Sequence, residues 1–250
     1  MKGVILAGGT GSRLYPLTKV TNKCLLPIGK YPMIYHSIYK LRQADIQDIL
    51  IVTGREHMGS FVNLLGSGIE FGVRLTYKIQ DEAGGIAQAL GLAEDFVGND
   101  QTVVLLGDNI FSDCIYQYVQ NFSIQRQGAK ILVQEVHDPQ RYGVAEIREN
   151  HIISIEEKPK YPKSNYAVTG IYMYDNSVFD IIKSLEPSNR GELEITDVNN
   201  RYILKNELTF DILLGWWTDA GTHESFALAN QLAKEIQYEE VFHNQSRVMI

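Results

Sequence analysis

A glycine-rich loop with one basic residue follows the first apolar segment of the chain, in the run LAGGTGSRL. Gly8, Gly9 and Gly11 leave backbone N–H groups free to face an anion, because glycine tolerates positive φ and the close approach of a ligand. Arg13 supplies a cation directly after them. The preceding residues 4–7 are continuously apolar, as in a buried parallel strand. These residue types predict a phosphate-binding loop at a strand end, and the alternative is a mobile surface turn.

Two common phosphate-binding signatures do not fit this loop. The G-x-G-x-x-G signature would need a glycine at position 14, where the chain has Leu14. The G-x-x-x-x-G-K-[ST] signature, started at Gly3, would need a lysine at position 9, where the chain has Gly9. The loop is therefore a phosphate-binding candidate of another kind.

A second candidate lies at the end of another apolar segment, in the run LLGDNIF, where Asp108 follows residues 102–106. In open parallel sheets, ligands bind beyond the carboxyl ends of the strands. An acid placed there, near a phosphate loop, is suited to Mg²⁺, which prefers carboxylates and phosphate oxygens. On the local sequence alone, a helix N-cap or an Asx turn is the better interpretation of Asp108.

The order of the segments predicts how these residues are positioned. Apolar, β-branched runs alternate with segments of helical spacing in the first half, which is typical of a mostly parallel sheet with helices on its faces. After residue 140, three strand-like runs follow without helices, which favours an antiparallel extension. The expected strands are 47–53, 73–79, 102–106, 129–136, YGVAEIR, HIISIEE and YAVTGIYMY; the expected helices are 33–43, 57–66, 85–95, 113–126, 176–185, 194–205 and 223–237.

Composition narrows the class of protein. The 250 residues are 44% hydrophobic and 21% charged, which is ordinary for a globular enzyme, and we expect a single domain over 1–250. The net charge of −7 argues against nucleic-acid binding. No apolar run is long enough to span a bilayer or to act as a signal peptide, so we expect no membrane partner and a cytoplasmic location. Cys24 and Cys114 match no metal spacing and are interpreted as reduced packing residues.

Seven segments, taken together, resemble the nucleotidylyltransferases that make nucleoside-diphosphate sugars. The match runs in order from residue 1 to about residue 230. The segments are LAGGTGSRLYPLT, NKCLLPIGKYPMIYH, QDEAGGIAQAL, LLGDNIF, EEKPKYPKSNYAVTGIYMYD, GELEITDVN and WTDAGTHESF. The resemblance implies a Rossmann-like, three-layer α/β/α fold, Mg²⁺ as cofactor and a homo-oligomer. The last segment departs from the family's usual L-D-T-G-T by having Thr218 and Ala220 around the acid.

The resemblance also assigns candidate residues to groups. Three cations would neutralise the reacting phosphates. A second group of residues would bind the triphosphate and recognise the base, and a third would bind the sugar phosphate. Two acids would hold the metal. The cations are Arg13, Lys23 and Lys158; the nucleotide-binding residues are Gly8, Gly9, Gly11, Gln80 and Gly85; the sugar-phosphate-binding residues are Gly143, Glu157, Lys158, Tyr166, Val168 and Gly170; the metal ligands are Asp108 and Asp219.

Some of these residues also have simple structural interpretations. Gln80 offers a donor and an acceptor to one edge of a pyrimidine, but its position equally suits the polar end of a strand. Glu157 and Lys158, before Pro159, would otherwise be a solvated charged turn. Tyr166 could belong to an ordinary strand. Their functional roles therefore depend on the resemblance.

The implied reaction transfers a thymidylyl group from dTTP to α-D-glucose 1-phosphate, in dTDP-sugar biosynthesis of the dTDP-rhamnose type. No general base is expected, because the sugar phosphate oxygen is already ionised at neutral pH. Two alternatives remain at this point. One is the same chemistry with UTP or another sugar 1-phosphate, and the other is a catalytically silent sugar-nucleotide sensor, which loss of the charged positions would mark.

Overall fold

A sheet of nine strands organises the part of the chain that this computed structural model describes, residues 1–236 and 238. Seven of its strands form the path β10-β9-β11-β6-β1-β4-β5; β8 pairs with β11, and β12 with β8. The strands of the described residues are β1 (Lys2–Leu6), β2 (Pro27–Ile28), β3 (Tyr31–Pro32), β4 (Asp48–Gly54), β5 (Arg74–Gln80), β6 (Thr102–Leu106), β7 (Asn109–Phe111), β8 (Ala129–Glu135), β9 (Gly143–Arg148), β10 (His151–Glu157), β11 (Tyr166–Tyr174), β12 (Leu208–Ile212) and β13 (Trp217–Asp219).

The helices lie between these strands in the order expected for an α/β protein. Short 3-10 turns, among them Ser12–Leu14, Lys23–Leu25 and Pro139–Arg141, shape the loops beside the site. The α-helices of the described residues are α1 (Met33–Gln43), α2 (Met58–Leu65), α3 (Ile86–Gly91), α4 (Glu94–Val97), α5 (Tyr116–Gln125), α6 (Val178–Lys183), α7 (Ile195–Leu204) and α8 (His223–Leu232).

The sheet is mostly parallel, with an antiparallel extension. Strand β1 lies between β4 and β6 and is parallel to both, with Ile5 opposite Ile51 and Leu105. Strand β11 is antiparallel to β6, β8 and β9, and β10 is antiparallel to β9. In the main sheet, β10 and β11 are thus the strands that run against the common direction. The Rossmann-like α/β/α fold predicted from the sequence is confirmed.

Two hydrophobic cores cover the two faces of the sheet, because successive side chains of a strand point to opposite sides. Val4 packs in the core that contains residues of α3, α6 and α7. Ile5 packs in the core that contains residues of α1, α2 and α5. A third, smaller core lies under α8 and includes Ala220, directly after β13. Both strand ends that carry candidate acids are thereby fixed by packing.

Strand β11 changes its neighbour part-way along its length. Ile171 to Tyr174 pair with β6, whereas Ala167 pairs with Val144 of β9, and the register with β8 shifts between Val168 and Tyr172. Along the chain, the strand therefore pairs with β9 first and with β6 afterwards. The cavity described below is lined in part by the residues of β11 in this interval.

Several predicted boundaries differ from the structure. The helix expected over 85–95 is divided in two: α3 ends at Gly91, and α4 begins at Glu94. The helix expected over 223–237 ends at Leu232 and continues as a 3-10 turn over Ala233–Glu235; residue 237 lies outside the described residues. Cys24 is buried as predicted, but Cys114 is exposed, so its interpretation as a packing residue was wrong. Within residues 1–236 and 238, no helix has both the length and the apolar character needed to cross a bilayer.

Candidate active site

A cavity of about 390 Å³ opens at the carboxyl ends of β1 and β6. All but one of the candidate residues line it, although they come from distant parts of the sequence. Lining the cavity are Gly8, Gly9, Gly11, Arg13, Lys23, Gln80, Gly85, Asp108, Gly143, Glu157, Lys158, Val168, Gly170 and Asp219. The structure therefore brings the two predicted halves of the site to one cleft.

Tyr166 is the exception, since it is not among the residues that line the cavity. It lies on the same face of β11 as Val168, two residues closer to the start of the strand, and packs against the core that contains residues of α3, α6 and α7. Tyr172, farther along β11, lines the cavity instead.

The glycine-rich loop is anchored at both ends. The side-chain amide of Asn22 donates a hydrogen bond to the carbonyl of Ala7 at 2.9 Å, and the Thr18 hydroxyl donates to the carbonyl of Gly11 at 2.9 Å. Gly11 has φ of 65°, in the left-handed region that favours glycine. The loop therefore has a defined shape, unlike the mobile turn considered above.

Lys23 and Asp108 form an ion pair in the cavity wall. Burial, the largest single effect on both groups, would lower the pKa of Lys23 and raise that of Asp108, but the opposing effects of charge and hydrogen bonding together outweigh it. The pKa of Lys23 is consequently raised and the pKa of Asp108 is lowered. A Cβ added to Gly9 would lie 3.2 Å from Lys23 Nζ, so the ammonium group also lies against the glycine-rich loop.

Asp219 lies close to Asp108 because β13 pairs with β7. Asp219 is opposite Asn109 in this two-stranded sheet, and the N–H of Ala220 donates to the carbonyl of Asp108 at 2.8 Å. Burial and the negative charge of Asp108 raise the pKa of Asp219, despite the opposing effect of Arg141. The two acids therefore sit in different electrostatic conditions within one cleft.

Arg141 and Tyr142 were not predicted from the sequence, although both line the cavity. Arg141 Nη2 donates to Asp219 Oδ1 at 3.0 Å, and the Tyr142 hydroxyl donates to the same oxygen at 3.1 Å. Their position directly before Gly143, which was predicted, is the signal that could have drawn attention to them. They fix one oxygen of Asp219.

Arg13 is exposed at the mouth of the cavity, next to Asp219. A Cβ added to Gly221 would lie 3.0 Å from Arg13 Nη2 and 3.2 Å from Asp219 Oδ2, so both groups flank this glycine. Among the described residues, Arg13 has no ion pair within 4.0 Å. Its guanidinium group is available to an anion in the cavity.

Gln80 and Gly85 lie on another wall. Gln80 Nε2 donates to Gln88 Oε1 at 2.5 Å, which orients the amide at the end of β5. Gly85 has φ of 99°, and the neighbouring Gly84 carbonyl accepts a hydrogen bond from the N–H of Leu193 at 2.8 Å. This wall therefore presents an oriented amide and bare backbone.

Glu157 is the last residue of β10, at the opposite end of the strand path from β5, and Lys158 follows it. Glu157 Oε2 accepts a hydrogen bond from the Thr196 hydroxyl at 2.7 Å, and Lys158 Nζ lies 3.6 Å from Glu157 Oε1. The backbone N–H of Lys158 donates to the carbonyl of Tyr142 at 2.9 Å. Lys158 is exposed and has φ of 46°, so its backbone is held in a conformation uncommon for a lysine.

The two acids fit the ligand preferences of Mg²⁺. Mg²⁺ commonly takes one or two protein carboxylates and completes its shell with phosphate oxygens and water. In the described part of the chain, no cluster of three or more His, Cys, Asp or Glu side chains could hold a metal alone. Asp108 and Asp219 would supply the expected number, and Asp219 Oδ2 accepts no hydrogen bond from these residues.

The comparison with known proteins agrees with this geometry. Residues 2–235 match the nucleotidyl transferase family. The chain belongs to that family. Among its relatives, the glucose-1-phosphate thymidylyltransferase of Neisseria meningitidis is 46% identical over 241 residues, which cover 95% of this chain and 84% of the relative. The enzyme of that name from Mycolicibacterium smegmatis is 43% identical over 244 residues, which cover 95% and 83%.

Solved structures of similar nucleotidyl transferases share the fold. One from Bacillus anthracis, provisionally described as a glucose-1-phosphate thymidylyltransferase and solved with sucrose, is 66% identical with a TM-score of 0.94; the match covers 97% of this chain and 99% of that one. A UDP-glucose pyrophosphorylase solved with UDP-glucose has a TM-score of 0.83 at 24% identity, covering 92% and 97%. At that identity the likeness concerns the fold alone.

The opposite pKa shifts of the two acids predict opposite effects on stability. Asp108→Asn should lower the free energy of unfolding at pH 7.5 by about 3 kcal/mol, because it leaves the Lys23 charge without its partner. Asp219→Asn should leave it unchanged or increase it, because a raised pKa means that ionisation of Asp219 disfavours the folded state. Urea unfolding in the presence of EDTA measures both.

The pH dependence of the free energy of unfolding distinguishes the stabilising contribution of Asp108 from the destabilising contribution of Asp219. The stabilisation from Asp108 is present above its unfolded pKa and is lost as pH falls through the lower folded value. The cost from Asp219 is absent below its unfolded pKa and grows as pH rises towards the higher folded value. Equal losses of stability in both variants at pH 7.5 would contradict the assignment.

Proposed function

We propose that this nucleotidyl transferase joins dTTP to α-D-glucose 1-phosphate and releases dTDP-glucose and pyrophosphate. The observation that carries the proposal is the 46% identity, over 241 residues, to a relative named for this reaction. The cavity supports it, because it combines a glycine-rich loop, several cations and two neighbouring acids. The retained charged residues disfavour a catalytically silent sensor. We further propose one domain over 1–250, a cytoplasmic location, a homo-oligomeric state and a place in dTDP-sugar biosynthesis of the dTDP-rhamnose type.

The chemistry needs alignment and charge neutralisation more than a protein nucleophile. An oxygen of the sugar phosphate forms a bond to the α-phosphorus of dTTP, and the bond from that phosphorus to the bridging oxygen breaks. Its electron pair leaves with pyrophosphate. Since the attacking oxygen is already ionised, no proton needs to be removed. The protein must hold two anions in line and reduce their repulsion.

The cations of the cavity are placed for this task. We assign Arg13 and Lys23, which lie beside the glycine-rich loop, to the triphosphate, and Lys158, which follows β10, to the sugar phosphate. Preorganised cations stabilise the charge that develops as pyrophosphate leaves. Lys23 contributes a smaller net field than its charge suggests, because Asp108 is paired with it.

Gln80 and Gly85 are assigned to the base. An amide side chain can donate to and accept from one edge of thymine, and glycine lets the backbone approach the ring. On the other side, Gly143, Glu157, Val168 and Gly170 are assigned to the sugar and its phosphate. Tyr166 is left out of this assignment, because it does not line the cavity.

Asp108 and Asp219 are the residues that would hold Mg²⁺. When bound, the ion would neutralise charge on the phosphate oxygens. Arg141 and Tyr142 hold Asp219 in place from one side, through its Oδ1.

A turnover assay with four substrate pairs tests the proposal. Purified chain is given dTTP or UTP, each with glucose 1-phosphate or galactose 1-phosphate, and pyrophosphate release is measured with and without Mg²⁺. We expect dTTP with glucose 1-phosphate to give the highest kcat/KM. A preference for UTP or for the other sugar phosphate would establish the alternative substrate, and no turnover with any pair would contradict the proposal.

Arg13→Ala should lower kcat by about 10²–10³, the usual loss when one electrostatic stabiliser of a transition state is removed. Because Arg13 is exposed, the free energy of unfolding should change by less than about 0.5 kcal/mol, as is usual for surface substitutions. Lys19→Ala is the matched control, because Lys19 is exposed nearby but does not line the cavity. Steady-state kinetics would contradict the role of Arg13 if both variants turned over alike.

Lys158→Ala should weaken glucose 1-phosphate binding while dTTP binding stays within about threefold, because Lys158 follows β10 at one edge of the main sheet, whereas the glycine-rich loop follows the central strand β1. Loss of a charge-assisted contact of about 1.5–3 kcal/mol corresponds to a tenfold or greater rise in Kd. Calorimetry on each ligand measures the difference. Lys160→Ala is the control, since Lys160 is exposed outside the cavity. Equal weakening of both ligands would refute the division of the cleft.

A further inference from the structure

Asn109 is a buried polar residue that the proposed function leaves without a role. Asn109 is 3% exposed, lines the cavity and lies at the junction of three segments of the site. Asn109 Nδ2 donates to Asp108 Oδ1 at 3.0 Å. Asn109 Oδ1 accepts from the indole Nε1–H of Trp217 at 2.6 Å and from the backbone N–H of Gly170 at 3.0 Å.

The orientation of this carboxamide follows from the chemistry of its neighbours. The indole N–H of Trp217 and the backbone N–H of Gly170 are groups that can only donate. They must therefore face the oxygen of Asn109, which leaves its NH₂ group towards Asp108. A carboxylate is an acceptor, so this side chain satisfies all three neighbours in one orientation.

The packing around Gly170 is shaped for this side chain. A Cβ added to Gly170 would lie 2.7 Å from both Cγ and Nδ2 of Asn109, and 2.7 Å from Leu106 Cγ. These distances are too short for any larger residue without displacement of the carboxamide. Gly170, which the sequence assigned to the sugar pocket, therefore also admits Asn109.

We propose that Asn109 is a positioning residue, which orients the metal-binding carboxylate of Asp108 through the hydrogen bond from Nδ2 to Oδ1. This inference rests on the proposed function, which assigns Asp108 to the metal. Asn109 stands opposite Asp219 in the pairing of β7 with β13, so it is fixed relative to the second acid as well. Through Trp217 and Gly170 it also joins β13 to β11.

The network explains why a hydrogen-bonded amide suits this position. Asp108 Oδ2 is engaged by Lys23, and Oδ1 by Asn109, so the carboxylate is held on both sides. Partners that hydrogen-bond a metal ligand commonly change metal affinity or activity by 10–100-fold when they are removed. An apolar residue at position 109 would fill the volume but leave the Asp108 carboxylate held by Lys23 alone.

Asn109→Asp separates positioning from packing. The new carboxylate keeps an oxygen for Trp217 and Gly170, but places an acceptor against Asp108 where a donor stood. We expect the Kd for Mn²⁺ alone, measured by electron paramagnetic resonance of the free ion, to rise at least tenfold. The Mg²⁺ concentration for half-maximal activity should rise in parallel.

Gly170→Ala perturbs the Asn109 side chain without changing residue 109 itself. It adds no charge, yet its Cβ must displace the Asn109 carboxamide, so it should also weaken Mn²⁺ binding. Should Asn109→Asp fail to fold, this variant decides the question by the same measurement. Ser112→Ala is the matched control: Ser112 Oγ accepts from the N–H of Trp216 just outside the β7–β13 pairing, and its loss should leave Kd within about twofold.

The possible outcomes distinguish a failure of the positioning role from a failure of the proposed function. Weaker Mn²⁺ binding in both variants, with Ser112→Ala unchanged, supports the positioning role. Parent-like or tighter binding in Asn109→Asp overturns it, as does an equal loss in Ser112→Ala. If Asp108→Asn binds Mn²⁺ as well as the parent chain, the metal assignment fails together with the inference, whereas the substrate assay above judges the transferase activity independently.

Discussion

The pairing of β7 with β13 is the contact on which the candidate site depends. Each strand has only three residues, and neither belongs to the main sheet. Their pairing nevertheless brings Asp219 beside Asp108, at the carboxyl end of the central strands. Two like charges in a low-dielectric cleft repel one another, so the contact is maintained by what surrounds it. Lys23 neutralises one acid, Arg141 faces the other, and the small core under α8 holds β13 from behind.

The surrounding charges place the two acids in different electrostatic environments. Asp108 is stabilised as an anion, whereas Asp219 retains a raised pKa and one oxygen without a hydrogen bond from the described residues. A cation binds more favourably to a site whose negative charge is not yet neutralised than to a site whose charges are already fully paired. The fold supplies the rigidity that this arrangement requires, because β7 is packed into two cores: Ile110 lies in the small core under α8, and Phe111 lies in the core that contains residues of α1, α2 and α5.

The sequence predicted the long elements well and the short ones poorly. Helix α1 and strands β10 and β11 have the predicted bounds, because their apolar patterns extend over several turns or alternations. Strands β7 and β13 are too short to show any period. Their pairing depends on contacts between distant residues, which no local pattern records.

The same distinction holds for the site. The glycine-rich loop and Asp108 were visible as residue types at strand ends, and the resemblance to the family supplied most other positions. Arg141 and Tyr142 were missed because their importance comes from Asp219, which lies far away in the sequence. The ion pair of Lys23 with Asp108 also could not be predicted, since each residue was assigned separately to a ligand.

The two cysteines differ in exposure, so that thiol-specific reagents should label only one of them. Cys24 is buried beneath the site, and burial raises the pKa of its thiol to about 12, so it is a poor nucleophile at neutral pH. Cys114 is exposed and lies three residues after Phe111, the last residue of β7. A maleimide dye or nitroxide would therefore attach there without mutagenesis, and would report spectroscopically on the outer end of the short sheet that carries Asp219.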